Sequence, residues 1–142
     1  MSFAGLNYLA IIIAAIAGFG VGALWYSVIF QKPWLTAMGI SEADIQAKRS
    51  SGEAPAMAPL LGTSFVGNLV MAFVLSAVLH SLGAVTLGGG LITGFLVWFG
   101  FVITVMAVNN GFGGRSMMVT VIDGGHWLTV LLVMGLIIGA FG

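Results

Sequence analysis

Apolar residues fall along this chain in four blocks separated by short polar intervals, at about 7–30, 58–81, 87–109 and 119–141. Each block reaches the roughly 20 residues that a helix needs to cross about 30 Å of hydrocarbon. The pattern predicts a single all-α domain over residues 1–142, an integral membrane bundle of four transmembrane helices. Small residues recur at four-residue spacing inside the blocks: Ala10, Ala14, Gly18 and Gly22 in the first, Gly90 and Gly94 in the third, Gly135 and Gly139 in the fourth. That ladder lets helix backbones approach closely where no hydrophobic drive separates helix from lipid. Gly18, Gly22, Gly90, Gly94, Gly135 and Gly139 are therefore the expected contacts of a Gly-rich bundle. Rows on three helices exceed the evident needs of one bundle, so copies of the chain or a larger membrane complex are expected partners besides the lipid bilayer.

The polar intervals differ in size. Residues 31–57 carry Lys32, Glu42, Asp44, Lys48, Arg49 and Glu53 and form the one sizeable aqueous segment. The first helix ends there in Leu24-Trp25-Tyr26-Ser27 followed by Lys32-Pro33-Trp34, which brings interfacial aromatics, a snorkelling cation and a helix breaker in sequence. Ser41 with Asp44 three residues on reads as a helix N-cap, and Lys48-Arg49 suit a C-terminal turn, so a surface helix of about two turns is expected. Asn109 to Arg115, rich in glycine, form the next turn on the same side.

Composition sharpens this picture. Charged residues are 6% of the chain and apolar types 60%, against about a quarter and a half in a soluble domain. Zero formal net charge without a basic cluster leaves no footprint for nucleic acid. The absence of cysteine removes thiol nucleophiles and thiolate metal sites. The first block has no Lys or Arg ahead of it and continues past 20 residues, so it reads as a retained helix rather than a signal peptide. All four cations, Lys32, Lys48, Arg49 and Arg115, lie in the two intervals on one side. By the positive-inside rule those intervals are cytoplasmic and both termini lie outside.

The candidate chemistry is Asp123-Gly124-Gly125-His126, an acid and a base at i and i+3 on one helix face. Counting back about 20 residues from Ala140 puts the boundary near Val121, so Asp123 lies a few ångströms inside and His126 about 8 Å. The same count puts Tyr26 and Trp25 about 6–8 Å inside, Asn68 about 12 Å inside and Asn109 at its helix end. Two readings stand. Asp123 and Arg115 form an interfacial ion pair that fixes the last hairpin; or Asp123, His126, Asn68, Asn109, Tyr26 and Arg115 line a polar cavity open to the cytoplasm, since intramembrane ionisable groups default to functional candidates. His80 lies near the opposite end, too far from His126 to share a ligand, and reads as a satisfied interfacial histidine. No metal site or cofactor is expected, and no complete set of nucleophile, base and oxyanion donors is visible, which argues against an enzyme.

Leu24-Trp25-Tyr26-Ser27 with Lys32 and Trp34, then Asn109 to Arg115 leading into Ile122-Asp123-Gly124-Gly125-His126 and Met134-Gly135, give the chain a family likeness. It resembles, over essentially its whole length, the mostly bacterial four-helix membrane family of unknown function designated DUF1761. The resemblance implies four helices and brings no activity or catalytic residues. The resulting expectation is a small multipass protein of a bacterial inner membrane, either a proton-responsive carrier or binding protein with a cytoplasm-facing polar site, or a non-catalytic accessory subunit.

Overall fold

The computed structural model describes residues 3–142, and among them every regular element is helical. Helix α1 covers Tyr8–Leu24 and continues as a π turn, Trp25–Ile29. Two short helices follow, α2 (Gln31–Met38) and α3 (Glu42–Ser51). The long helix α4 (Met57–Ser81) comes next, then α5 (Leu87–Val97), a second π turn (Trp98–Val102), α6 (Ile103–Phe112) and finally α7 (Met117–Phe141). Four spans are long and apolar enough to cross a membrane: Tyr8–Ile29, Met57–Ser81, Leu87–Phe112 and Met117–Phe141. The boundaries agree with the apolar blocks to within about three residues.

The fourth span is the centre of the bundle. Val119, Val130, Met134 and Ile138 of α7 are completely buried, and α1 and α5 run antiparallel to it on two sides. Asn7 Nδ2 donates to Phe141 O at 2.7 Å at one end, and Trp25 Nε1 donates to Ile122 O at 3.1 Å at the other, which fixes the α1–α7 register. Along α5 the register is set by absent side chains. A Cβ on Gly90 would overlap the backbone of Gly135, one on Gly94 would come 2.7 Å from Leu131 O, and one on Gly139 would overlap Thr86. Gly18 faces Asn68, Met134 and Val130, and Gly22 faces His126. All six glycines singled out in the sequence thus lie against other parts of the chain. Helix α4 closes the other side of α1, with Ala72, Leu75, Ala77 and Leu79 in the shared core.

The aqueous segment holds two helices rather than one. Pro33 does not end helical structure; it occupies the first turn of α2, where a missing N–H costs nothing. Gly39 in the left-handed region (φ 71°) ends α2. Helix α3 has the expected start: Ser41 Oγ accepts from the Asp44 N–H at 3.1 Å, and Asp44 Oδ2 accepts from the Ser41 N–H at 2.9 Å. It runs ten residues, a turn longer than the sequence suggested. α2 folds back against the start of α7, where Ser116 Oγ donates to Ala37 O at 3.0 Å.

Candidate functional site

The site is assembled around Asp123-Gly124-Gly125-His126 on the second and third turns of α7. Gly124 and His126 are buried there, and Asp123 and Gly125 are half-buried. Asp123 Oδ1 accepts two hydrogen bonds, from Tyr26 Oη at 2.6 Å and from Trp34 Nε1 at 3.0 Å. Tyr26 comes from the first π turn and Trp34 from α2, so one carboxylate oxygen ties three elements together. Both donors are neutral, and no guanidinium answers the acid. Arg115 is exposed and reaches Asn110 Oδ1 at 3.4 Å instead. The interfacial Asp123–Arg115 pair expected from the sequence does not form, because Asn110 lies nearer the turn that carries Arg115.

Tryptophan defines the rest of the site. Trp25 Nε1 donates to Ile122 O, and Trp98 Nε1 donates to Gly124 O at 2.8 Å. These two residues each open a π turn, whose i→i+5 bonding inserts one residue into the helical register; Phe30 N–H bonds Trp25 O at 2.8 Å to close the first. Two parallel helices therefore clamp α7 from either side of Asp123, each with an indole on an α7 carbonyl. With Trp34 on Asp123 and the Trp127 ring 4.4 Å from that of His126, all four tryptophans of the chain meet at this tetrapeptide.

His126 is 5% exposed, and its ring lies 5.0 Å from the Tyr26 ring. Nδ1 is buried with no partner, while Nε2 lies over Gly22, 3.1 Å from where a Cβ would stand. A Cβ at Gly22 would press on the imidazole, which would have to shift by a few tenths of an ångström. Asp123 and His126 share a helix face as the spacing predicts, yet Tyr26 stands between them: its hydroxyl meets the acid and its ring meets the base. Tyr26 and His126, with Ser27, Ser64, Phe19, Leu61 and Trp127, line a groove of about 380 Å³ between α1, α4 and α7.

The other residues expected here divide. Asn68 is 2% exposed and sits deeper, its Nδ2 donating to Ser64 O at 2.9 Å and its Oδ1 without a partner. Asn109 faces outward and takes no part. Its neighbour Asn110 turns inward and donates to Thr120 Oγ1 at 3.0 Å. The second π turn, upstream of both, alters the register that a regular helix count assumes. Trp34 and Trp98 are partners that the sequence does not bring to the motif, and Trp25 is placed near it by depth alone. Among the described residues no three His, Asp or Glu side chains gather as metal ligands do.

The family described as protein of unknown function (DUF1761) matches residues 9–139, nearly the whole chain, and the chain belongs to it. No curated protein and no solved structure matches it.

Proposed function

We propose that this DUF1761 member is a proton-responsive binding or carrier protein of a bacterial inner membrane. Its site is the Asp123–Tyr26–His126 cluster, with the end bearing Lys32, Lys48, Arg49 and Arg115 in the cytoplasm and the termini outside. The observation that carries the reading is Tyr26, which bonds Asp123 at 2.6 Å and sets its ring, tilted by 58°, against a His126 whose Nδ1 has no partner. A change of protonation at either titratable group alters a hydrogen bond that Tyr26 makes or a ring that it touches. The groove wall supports an amphipathic, membrane-dissolved ligand: Phe19, Leu61 and Trp127 offer apolar surface, and Ser27, Ser64 and His126 offer hydrogen bonds.

The test uses the four tryptophans. In nanodiscs, intrinsic fluorescence titrated with pH changes for the native protein, and the change is lost in Asp123→Asn with far-ultraviolet helicity intact. An unaltered titration in that variant overturns the reading.

A second reading, an accessory subunit, draws on the third span. It packs chiefly on α7 and turns Phe95, Phe99, Phe101 and Phe112 outward. A stoichiometric membrane partner in native purification, lost on Phe99→Ala with Phe101→Ala but retained in Asp123→Asn, would favour it.

A further inference from the structure

Three hydrogen-bonding groups stand in the wall of the groove between α1, α4 and α7: the hydroxyls of Ser27 and Ser64 and the imidazole of His126. Thr63, Ser81, Thr104 and Thr129 each donate to the carbonyl four residues back, at 2.7–2.9 Å. Neither Ser27 nor Ser64 makes that bond, and neither hydroxyl has another partner among the described residues. Of the two ring nitrogens of His126, only Nδ1 is both sealed and partnerless. Nε2 lies over Gly22, which is itself part of the groove wall. Ala23, Ser27, Leu61 and Ser64 are exposed, so the groove opens sideways onto the bilayer.

Depth and charge restrict what these groups can hold. Counted from Met57 and Met117, where α4 and α7 begin, Ser64 lies about 10 Å and His126 about 13 Å along its helix at 1.5 Å per residue. Both stand inside a membrane-length span, deeper than phospholipid headgroups, which stay in the interfacial layer outside about 30 Å of hydrocarbon. The wall contains no Lys, Arg, Asp or Glu, and Asp123 stands behind Tyr26, whose hydroxyl it accepts from. A phosphate or carboxylate head would exchange water for hydrocarbon and meet no cation. A neutral head loses far less, and its oxygens find partners there that lipid does not supply. The rings of Phe19, Tyr26, His126 and Trp127 add flat apolar surface. A groove of about 380 Å³ is at the lower end of the roughly 300–1,000 Å³ of ligand sites, so it takes a head and the start of a chain and leaves the rest of the chain in the bilayer.

We infer that the groove binds a neutral lipid whose head carries hydroxyl or carbonyl oxygens, entering sideways from the bilayer core. The inference rests on the groove being the ligand site of a binding or carrier protein. The serine hydroxyls donate to a carbonyl or accept from a hydroxyl, and a neutral imidazole does either at Nε2 according to which ring nitrogen holds the proton. Two membrane chemistries present such a head, an acylglycerol and a quinone on an apolar chain, and the aromatic walls accept both.

The experiment is quenching of tryptophan fluorescence in nanodiscs, with Trp127 in the groove wall as reporter. The probes are a monoacylglycerol brominated on its chain, the phosphate ester of that same molecule, and a decyl benzoquinone, itself a quencher. Saturable quenching by the monoacylglycerol or the quinone is expected, with only linear quenching by the phosphate ester, and the probe that saturates identifies the head. Ser64→Ala and Ser27→Ala weaken the saturable phase about threefold to tenfold, the share of one hydrogen bond. Thr63→Ala, whose hydroxyl bonds Pro59 O, leaves it at the native value. Purely linear quenching by both neutral probes overturns the inference, as does equal saturation by the phosphate ester or native affinity in both serine variants. Saturable binding beside a fluorescence that does not titrate with pH strikes the proton-responsive reading alone. A pH titration that Asp123→Asn abolishes, without saturable binding, strikes the neutral-lipid inference alone.

Discussion

The Tyr26 hydroxyl donates to Asp123 Oδ1 at 2.6 Å across 97 residues of sequence, the shortest side-chain hydrogen bond that joins the first span to the last. Trp34 donates to the same oxygen, so the two donors share one acceptor and their contributions are coupled. Removing one partner of a bond in a low-dielectric setting costs about 1–3 kcal/mol. Tyr26→Phe is expected to destabilise by that amount in a detergent thermal-unfolding assay. Tyr26→Phe with Trp34→Phe should depart from additivity, because both act on one carboxylate; strict additivity would mean that the donors act independently.

Glycine substitutions separate contact from open space. At Gly135 a Cβ overlaps the Gly90 backbone, and backbone cannot swing aside. Gly135→Ala should cost at least the 1–3 kcal/mol typical of overpacking and loosen α5 from α7. Gly62 and Gly67 on α4 have nothing within 4 Å. Alanine at either should stabilise by about 0.5–1 kcal/mol through helix propensity alone. Unfolding midpoints of the three single variants check the contrast.

Gly22→Ala should act on the site more than on stability. Its Cβ would meet His126 Nε2 at 3.1 Å, and the imidazole can yield only by moving against Tyr26 or Trp127. The expected readout is a shifted tryptophan emission maximum with helicity unchanged. Emission identical to the native protein would mean that the imidazole moves freely.

The adjacent asparagines are predicted to differ. Asn110→Ala loses the bond to Thr120 Oγ1 and the contact with Arg115, for about 1–2 kcal/mol. Asn109→Ala, on the outward face, should stay within about 0.5 kcal/mol. Equal effects on unfolding would contradict the inward turn of Asn110.

Helix α3 has a pH dependence of its own. The Ser41 backbone N–H, then its hydroxyl, hold the Asp44 carboxyl below the usual carboxylate range, with Lys48 adding to the effect. A depressed folded value means that the cap's contribution is complete above the ordinary carboxylate range and disappears as pH falls through the lowered value. Amide exchange in residues 42–51 should therefore accelerate at acidic pH, and Asp44→Asn should remove the dependence.

The sequence by itself determined the four spans, the side on which the cations gather, the Ser41–Asp44 cap and the tetrapeptide that holds the ionisable pair. Length, charge and capping chemistry act locally, so they can be read from neighbouring residues. What the tertiary structure decided is which groups face one another. The third span carries no polar face that marks its inside, so Asn109 and Asn110 are indistinguishable until the π turn upstream of both, Trp98–Val102, sets which of them turns inward. Arg115 finds Asn110 rather than Asp123, and Trp34 reaches Asp123 only because α2 folds back on α7. The glycine rows, legible as close contacts, become Gly90 on Gly135 and Gly22 under His126 only once α1 and α5 settle against opposite sides of α7. Those pairings are set by backbone distances between helices remote in sequence, a property that no local pattern encodes.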